Sequence, residues 1–269
     1  MNGMPRARAF GLGSLVPILV LAAAATQAVP TIFEAVLGEA GQSTAEVSTA
    51  ELRHILADKS AVVLDARPVR EYATSHIPGA VNVAPKPGVP MSMYVSDLAE
   101  IDRLVRQRKD TAIVLYCNGP FCGKSKRLAA ELVAAGYTKV RRYQLGIPVW
   151  RALGGITQIE PEGLRQVLAN NRTAVLIDVR EAQERQASAF PNAQAIPRSA
   201  VLEGKDVGEV KRAKDDGRLP MEDHNTRIVV IGGAGPARYV AEALAREAFD
   251  NVSFFAGSIE EARAALKPP

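Results

Sequence analysis

Cys117 and Cys122 are the only two thiols in the 269-residue sequence, and they lie five positions apart in VLYCNGPFCGKS. Cys117 directly follows a short apolar run, Ile113 to Tyr116, and precedes a helical stretch. That places it at the carboxyl end of a buried parallel strand, in the crevice where open α/β folds bind ligands. The intervening NGPFCGK contains Gly119 and Gly123, so its backbone can curl with several N–H groups turned inward, and the start of the next helix adds partial positive charge. Lys124 and Lys126 add formal charge. Such surroundings lower a thiol pKa and attract an anion, which is the setting for thiolate attack on an anionic substrate. The competing reading of Cys117 is a small buried hydrophobe, the state of most free cysteines. Cys122 also has two readings. It reaches Cys117 and forms a disulfide, or it points into the core; the spacing leaves both open.

Other chemistries find less support. His54, His76 and His224 are scattered and the cysteines have no second pair, so no metal and no cofactor is expected. A phosphatase-like loop would need an arginine six residues after the nucleophile to clamp phosphate oxygens, and Gly123 stands there.

The elements that position Cys117 occur twice. Residues 61–84, AVVLDARPVREYATSHIPGAVNVA, lie on residues 174–197, AVLIDVREAQERQASAFPNAQAIP, without a gap. Asp65 falls on Asp178, Arg67 on Arg180, Glu71 on Glu184 and Pro78 on Pro191. ELRHIL at Glu51 matches GLRQVL at Gly163, and IVLYC ending at Cys117 matches IVVIG ending at Gly232. Three blocks recurring at nearly constant offset indicate a duplication. Each half alternates strand-like and helical segments, which predicts an α/β fold with a mostly parallel sheet flanked by helices. Ser48 with Glu51 opens a helix, Asp97 is expected to cap another, and Ser125 to Ala135 forms a third, closed by Gly136. The stretch between Leu202 and Arg227, with mixed charges and no apolar period, reads as a solvated connection.

Residues 1–28 carry Arg6 and Arg8 without an acid, then an apolar run interrupted by Pro17, then small residues around Ala28. That is a signal-peptide layout, with an uncleaved anchor as the alternative; the run is short for the ~20 residues of a spanning helix. The layout predicts export, into the periplasm of a Gram-negative bacterium. Loss of this leader leaves 31 basic against 29 acidic side chains, a balance that offers no support for a nucleic-acid partner. The remaining chain divides into a linker at 29–44, a first domain at 45–155 and a second at 156–269, with Gly154 and Gly155 at the junction.

VVLDAR with Asp65 and Arg67, EYATSHIPGAVN with His76, VLYCNGPFCGKS around Cys117 and LGIPVWRALGG with Gly146 and Trp150 follow one another in family-like order. In these four blocks the chain resembles the rhodanese (thiosulfate sulfurtransferase) family in its tandem-domain form. The resemblance tips Cys117 from buried hydrophobe to nucleophile. It implies sulfur transfer by double displacement: the thiolate takes the outer sulfur of thiosulfate or a similar small anionic donor, sulfite leaves, and a thiol or cyanide acceptor removes the sulfur from the persulfide. Asn118, Gly119, Phe121, Gly123, Lys124 and Ser125 would bind the donor, with Arg67 bordering the pocket and Cys122 as a resolving thiol. A reductant protein would be a partner if the two cysteines pair. The alternative is a non-catalytic binding module or a thiol/disulfide sensor. Asp65 and Arg67 read as structural ion-pair residues, because Asp178 and Arg180 persist where the thiol is replaced by Gly232. His76, opposite Ala189, and Trp150, opposite Glu261, read as structure and packing, and Glu71 as an ordinary helix position. Arg238, after the glycines of the second loop, makes anion binding there conceivable.

Overall fold

The computed structural model describes residues 1, 3, 31–84 and 96–267. The expected leader therefore falls almost entirely outside the described residues. By its contacts the chain divides into Met1–Pro30 and one compact unit, Thr31–Pro269, which holds both halves of the repeat.

The first half contains β1 (Ala45–Glu46), α1 (Thr49–Asp58), β2 (Val62–Asp65), α2 (Val69–Thr74), β3 (Val81–Asn82), α3 (Asp97–Leu104), β4 (Ile113–Tyr116), α4 (Gly123–Ala134), β5 (Val140–Tyr143) and α5 (Gly146–Ala152). The strands form a parallel sheet in the order β1-β5-β4-β2-β3. β4 lies inside this sheet with all four residues buried, and a strand covered on both faces reads as the unbroken apolar run IVLY. One face packs Leu64, Leu115 and Val140 against Ile101 of α3 and Leu128 and Leu132 of α4. The other packs Val63, Val114, Tyr116 and Tyr143 against Leu52 and Ile55 of α1 and Trp150 of α5. Ser48 caps α1 through the Glu51 N–H. Ser96, not Asp97, caps α3. Its extended backbone aims Oγ at the Ala99 N–H (3.1 Å), and Asp97 is the first helical residue, its carboxyl pushed up chiefly by burial.

The second half repeats the plan with β6 (Thr157–Ile159), α6 (Pro161–Asn170), β7 (Val175–Asp178), α7 (Ala182–Ala187), β8 (Gln194–Ala195), α8 (Gly208–Asp215), β9 (Ile228–Ile231), α9 (Ala234–Arg246), β10 (Val252–Phe255) and α10 (Ile259–Leu266), sheet order β6-β10-β9-β7-β8. The stretch expected to be a solvated connection contains α8. It buries Val210 and Ala213, and Leu219 follows into the same core. Two apolar positions in eight residues are too few to show as a period. The surrounding charges are paired, Lys214 with Glu247 at 2.8 Å and Arg218 with Glu209 at 2.6 Å.

The halves are joined by Arg151, which donates to Asp250 O and Asn225 Oδ1 at 3.1 Å, and by a backbone bridge at His76. His76 and Gln158 exchange backbone hydrogen bonds at 3.0 and 2.8 Å, and the Glu160 N–H donates to Ala73 O at 2.8 Å. Gly163 on α6 sits so close to α2 that a Cβ there would meet the Ala73 carbonyl, with Thr74 Cα at 2.7 Å. The His76 ring is buried, stacked on Tyr72, with Nδ1 at 3.0 Å from Tyr72 O and Nε2 at 3.5 Å from Glu160. Burial holds the imidazole below its ordinary pKa, against the raising effect of the Tyr72 carbonyl and Glu160.

Candidate active site

Cys117 follows β4 at the carboxyl edge of the first sheet and is 3% exposed. Six residues, 117–122, separate β4 from α4. They fold back through the Cys122 N–H, which donates to Gly119 O at 3.0 Å with Gly119 at φ +104°, and Cys117 O accepts the Ile147 N–H at 3.1 Å. This curvature brings the sulfurs together. Cys117 and Cys122 form a disulfide with a Cα–Cα separation of 6.2 Å, inside the span such a bond requires. Cys122 is also the N-cap of α4, whose first turn carries no acidic residue. The partial positive charge of that helix end favours a thiolate at the loop over a thiol.

The residues expected to bind a donor divide into two groups. Gly119, Phe121 and Gly123 belong to the loop itself, and the Phe121 side chain is fully exposed. Asn118 donates to Glu71 Oε2 on α2 at 2.5 Å, so Glu71 is not merely a helix position but a brace for the loop. Lys124 faces Asp97 at 3.8 Å. Ser125 is buried, and its Oγ accepts from Arg142 at 3.4 Å. Arg67 turns inward: its guanidinium donates to Asp65 (2.6 Å to Oδ2) and to Ser75 O (2.6 Å). Burial works against its charge, but the Asp65 carboxylate outweighs that and holds Arg67 above its ordinary pKa. The Tyr116 hydroxyl donates to the same carboxylate at 2.6 Å and accepts the Ile77 N–H at 3.1 Å. Burial and Asp65 push its pKa well above the ordinary phenol value. The residue preceding Cys117 is thus locked to β2 and to the turn after α2.

A further set of contacts, outside the expected residues, was not legible beforehand. The segment before β1, expected to be a linker, lies against the first half. The Glu46 carboxylate receives the N–H groups of Leu37 and Glu39 at 2.7 and 2.9 Å, and Glu39 meets Lys126, Gln144 and, at 3.9 Å, Arg142. Arg142 is 2% exposed on β5, paired in register with Leu115, and burial pushes its pKa down with Glu39 opposing. The equivalent register position in the second half, opposite Val230, is Phe254. The fold therefore does not require a cation there; the thiol-bearing half alone has one. Laying VRRY on VSFF would have exposed this mismatch.

In the second half only Gly232 and Gly233 lie between β9 and α9. Gly232 has φ +124°, and a Cβ on it would stand 2.9 Å from Val179 Cγ2. Arg238 is paired with Glu242 at 2.9 Å. A cavity of about 770 Å³ opens between α1 and α9, lined by Arg53, Trp150, Arg238 and Arg246 among others, and Cys117 is not part of its wall. Among the described residues no cluster of His, Cys, Asp or Glu could hold a metal, and no helix is long and apolar enough to cross a membrane.

With two five-stranded sheets and a cysteine loop in one of them, the sequence comparison is decisive: the rhodanese-like domain matches residues 48–153 and again 160–265. The chain belongs to the rhodanese-like domain family and contains two tandem copies. It is 31% identical over 108 residues to the HTH-type transcriptional regulator Rv0324 of Mycobacterium tuberculosis, a match covering 40% of this chain and 42% of that relative. The chain thus matches about two fifths of that curated relative's length. Among solved structures, it resembles the 3-mercaptopyruvate sulfotransferase SseA of Escherichia coli (21% identity, 80% of this chain, 99% of that chain, TM-score 0.35). It also resembles a thiosulfate sulfurtransferase of Pseudomonas aeruginosa (21% identity, 81% of this chain, 42% of that chain, TM-score 0.33).

Proposed function

We propose that this rhodanese-like protein is a sulfurtransferase that takes a sulfane sulfur from thiosulfate or a similar small anion onto Cys117 and passes it to a thiol or cyanide. The observation that carries the reading is the contrast between the halves. A six-residue loop holds a thiol at the carboxyl edge of one sheet, whereas two glycines span the same gap in the other. Attack by the Cys117 thiolate on the outer sulfur of the donor expels sulfite and leaves a persulfide. The loop must be reduced first, because the paired sulfur is not a nucleophile. The test is an intact mass of the reduced protein after thiosulfate treatment. A gain of one sulfur atom in Cys122→Ser, absent when Cys117 is also replaced by serine, supports the reading; no gain in Cys122→Ser together with no sulfite release from the wild type refutes it.

The disulfide favours one further reading, a thiol/disulfide sensor without turnover. Steady sulfite release under a reductant, with multiple turnovers per chain, would exclude it. Export into an oxidising compartment, where a reductant protein would be needed as partner, belongs to the same proposal. Cell fractionation tests it: recovery of the protein only with the cytoplasm would refute export.

A further inference from the structure

We propose that Cys122 is the thiol that displaces the sulfur carried by Cys117, so that the protein reduces sulfane sulfur and releases it as hydrosulfide. The inference rests on the persulfide reading above and names the fate of that sulfur.

The geometry points to it in two ways. The disulfide places Cys122 Sγ at bonding distance from Cys117 Sγ within a loop already closed by the Cys122–Gly119 hydrogen bond. Cys117 Sγ is also the inner sulfur of a persulfide, so the internal thiolate reaches it without refolding of the loop. Second, Cys117 is 3% exposed, whereas Cys122 is half-buried at the loop's outer end. An acceptor from solvent must reach a sulfur that is almost fully covered, but Cys122 is tethered beside it. Intramolecular attack of this kind gains effective molarities on the order of 10⁵ M or more when well oriented. The α4 N-terminus, with no acid in its first turn, supports the thiolate form.

The steps balance. Cys117 thiolate attacks the outer sulfur of thiosulfate; an S–S bond forms to Cys117, the S–S bond within the donor breaks, and sulfite leaves with the electron pair. Cys122 thiolate then attacks the inner sulfur of the persulfide. The Cys117–Cys122 bond forms, the persulfide bond breaks, and the outer sulfur leaves as hydrosulfide, carrying the persulfide's proton or one from water. The two cysteines are oxidised by two electrons and the sulfane sulfur is reduced by two. An external dithiol returns the loop to its reduced form by thiol–disulfide exchange.

A single-turnover experiment tests this. The full chain is reduced, freed of reductant without oxygen, and given one equivalent of thiosulfate. We expect sulfite and hydrosulfide in equal amounts and a protein mass two hydrogens below the reduced form. Cys122→Ser and Cys122→Ala should stop at the persulfide, releasing sulfite with at least a tenfold loss of hydrosulfide. A persulfide that persists in the wild type overturns the proposal, as does sulfur mapped to Cys122 or hydrosulfide release undiminished in both variants. If neither wild type nor variant releases sulfite, the persulfide reading has failed and this proposal falls with it. Should the substitutions prevent folding, the wild-type stoichiometry decides alone.

Discussion

A Cβ placed on Gly146 would stand 2.6 Å from the carbonyl oxygen of Cys117 and would also collide with the Gly119 amide nitrogen. Gly146 has φ +68°, so both its conformation and its closeness require the absence of a side chain. Gly146→Ala should therefore push the thiol loop outward and cost about 1–3 kcal/mol of stability, in line with a strained left-handed residue. Sulfite release from thiosulfate should slow at least tenfold, with the melting temperature lowered in parallel.

Arg67 and Asp65 are 3% and 0% exposed. Removing one member of such a pair leaves a buried charge without compensation, at about 3–5 kcal/mol. Arg67→Met should unfold at markedly lower urea concentration, and Asp65→Asn combined with Arg67→Met should recover part of the loss. No recovery in the double variant would mean that Arg67 acts other than through Asp65.

His76 gives the junction between the halves a pH dependence. Its folded pKa is depressed below the ordinary imidazole value, so between the two values the unfolded chain binds more protons than the folded one. Stability is then complete above roughly pH 6.5, the unfolded value, and falls as the pH drops toward the folded one. Thermal melts from pH 7.5 down to 5.5 should show this decline, and His76→Gln should flatten it in that range.

Gly232→Cys should not produce a second active site. The position combines φ +124° with a Cβ contact of 2.9 Å to Val179 and lacks four loop residues present around Cys117. In a Cys117→Ser background, Gly232→Cys should take up no sulfur and should melt below its parent. A stable sulfur adduct on the new cysteine would contradict this.

Arg142→Phe copies the residue that the second half carries at the same register. It should release the segment before β1, because Glu39 would lose the buried partner of its salt bridge. Limited proteolysis should cut between Thr31 and Thr44 several-fold faster, while the β4–α4 loop stays resistant.

The duplication, the order of strands and helices and the placement of Cys117 were legible because they rest on local periodicity and a repeated pattern. Asp65 with Arg67 could be read as structural from the persistence of Asp178 and Arg180. What was not legible depends on long-range placement. Glu71 bracing Asn118 joins positions 47 apart, and Glu39 meeting Gln144 joins positions 105 apart, contacts that no periodicity encodes. The helix at Gly208–Asp215 was hidden because its burial rests on two side chains within a run of charges. The pairing of the cysteines turned on loop curvature, which Gly119 and Gly146 set through backbone angles rather than through spacing.

The unequal depth of the two sulfurs gives the disulfide a direction. A thiolate arriving from solvent meets Cys122 at the outer end of the loop before it meets Cys117 at 3% exposure. The mixed disulfide therefore forms on Cys122, and the sulfur expelled is that of Cys117, already seated at the sheet edge. Reduction thus arms the inner thiol in the same event that occupies the outer one, so the order in which the loop opens keeps the reductant off the buried sulfur.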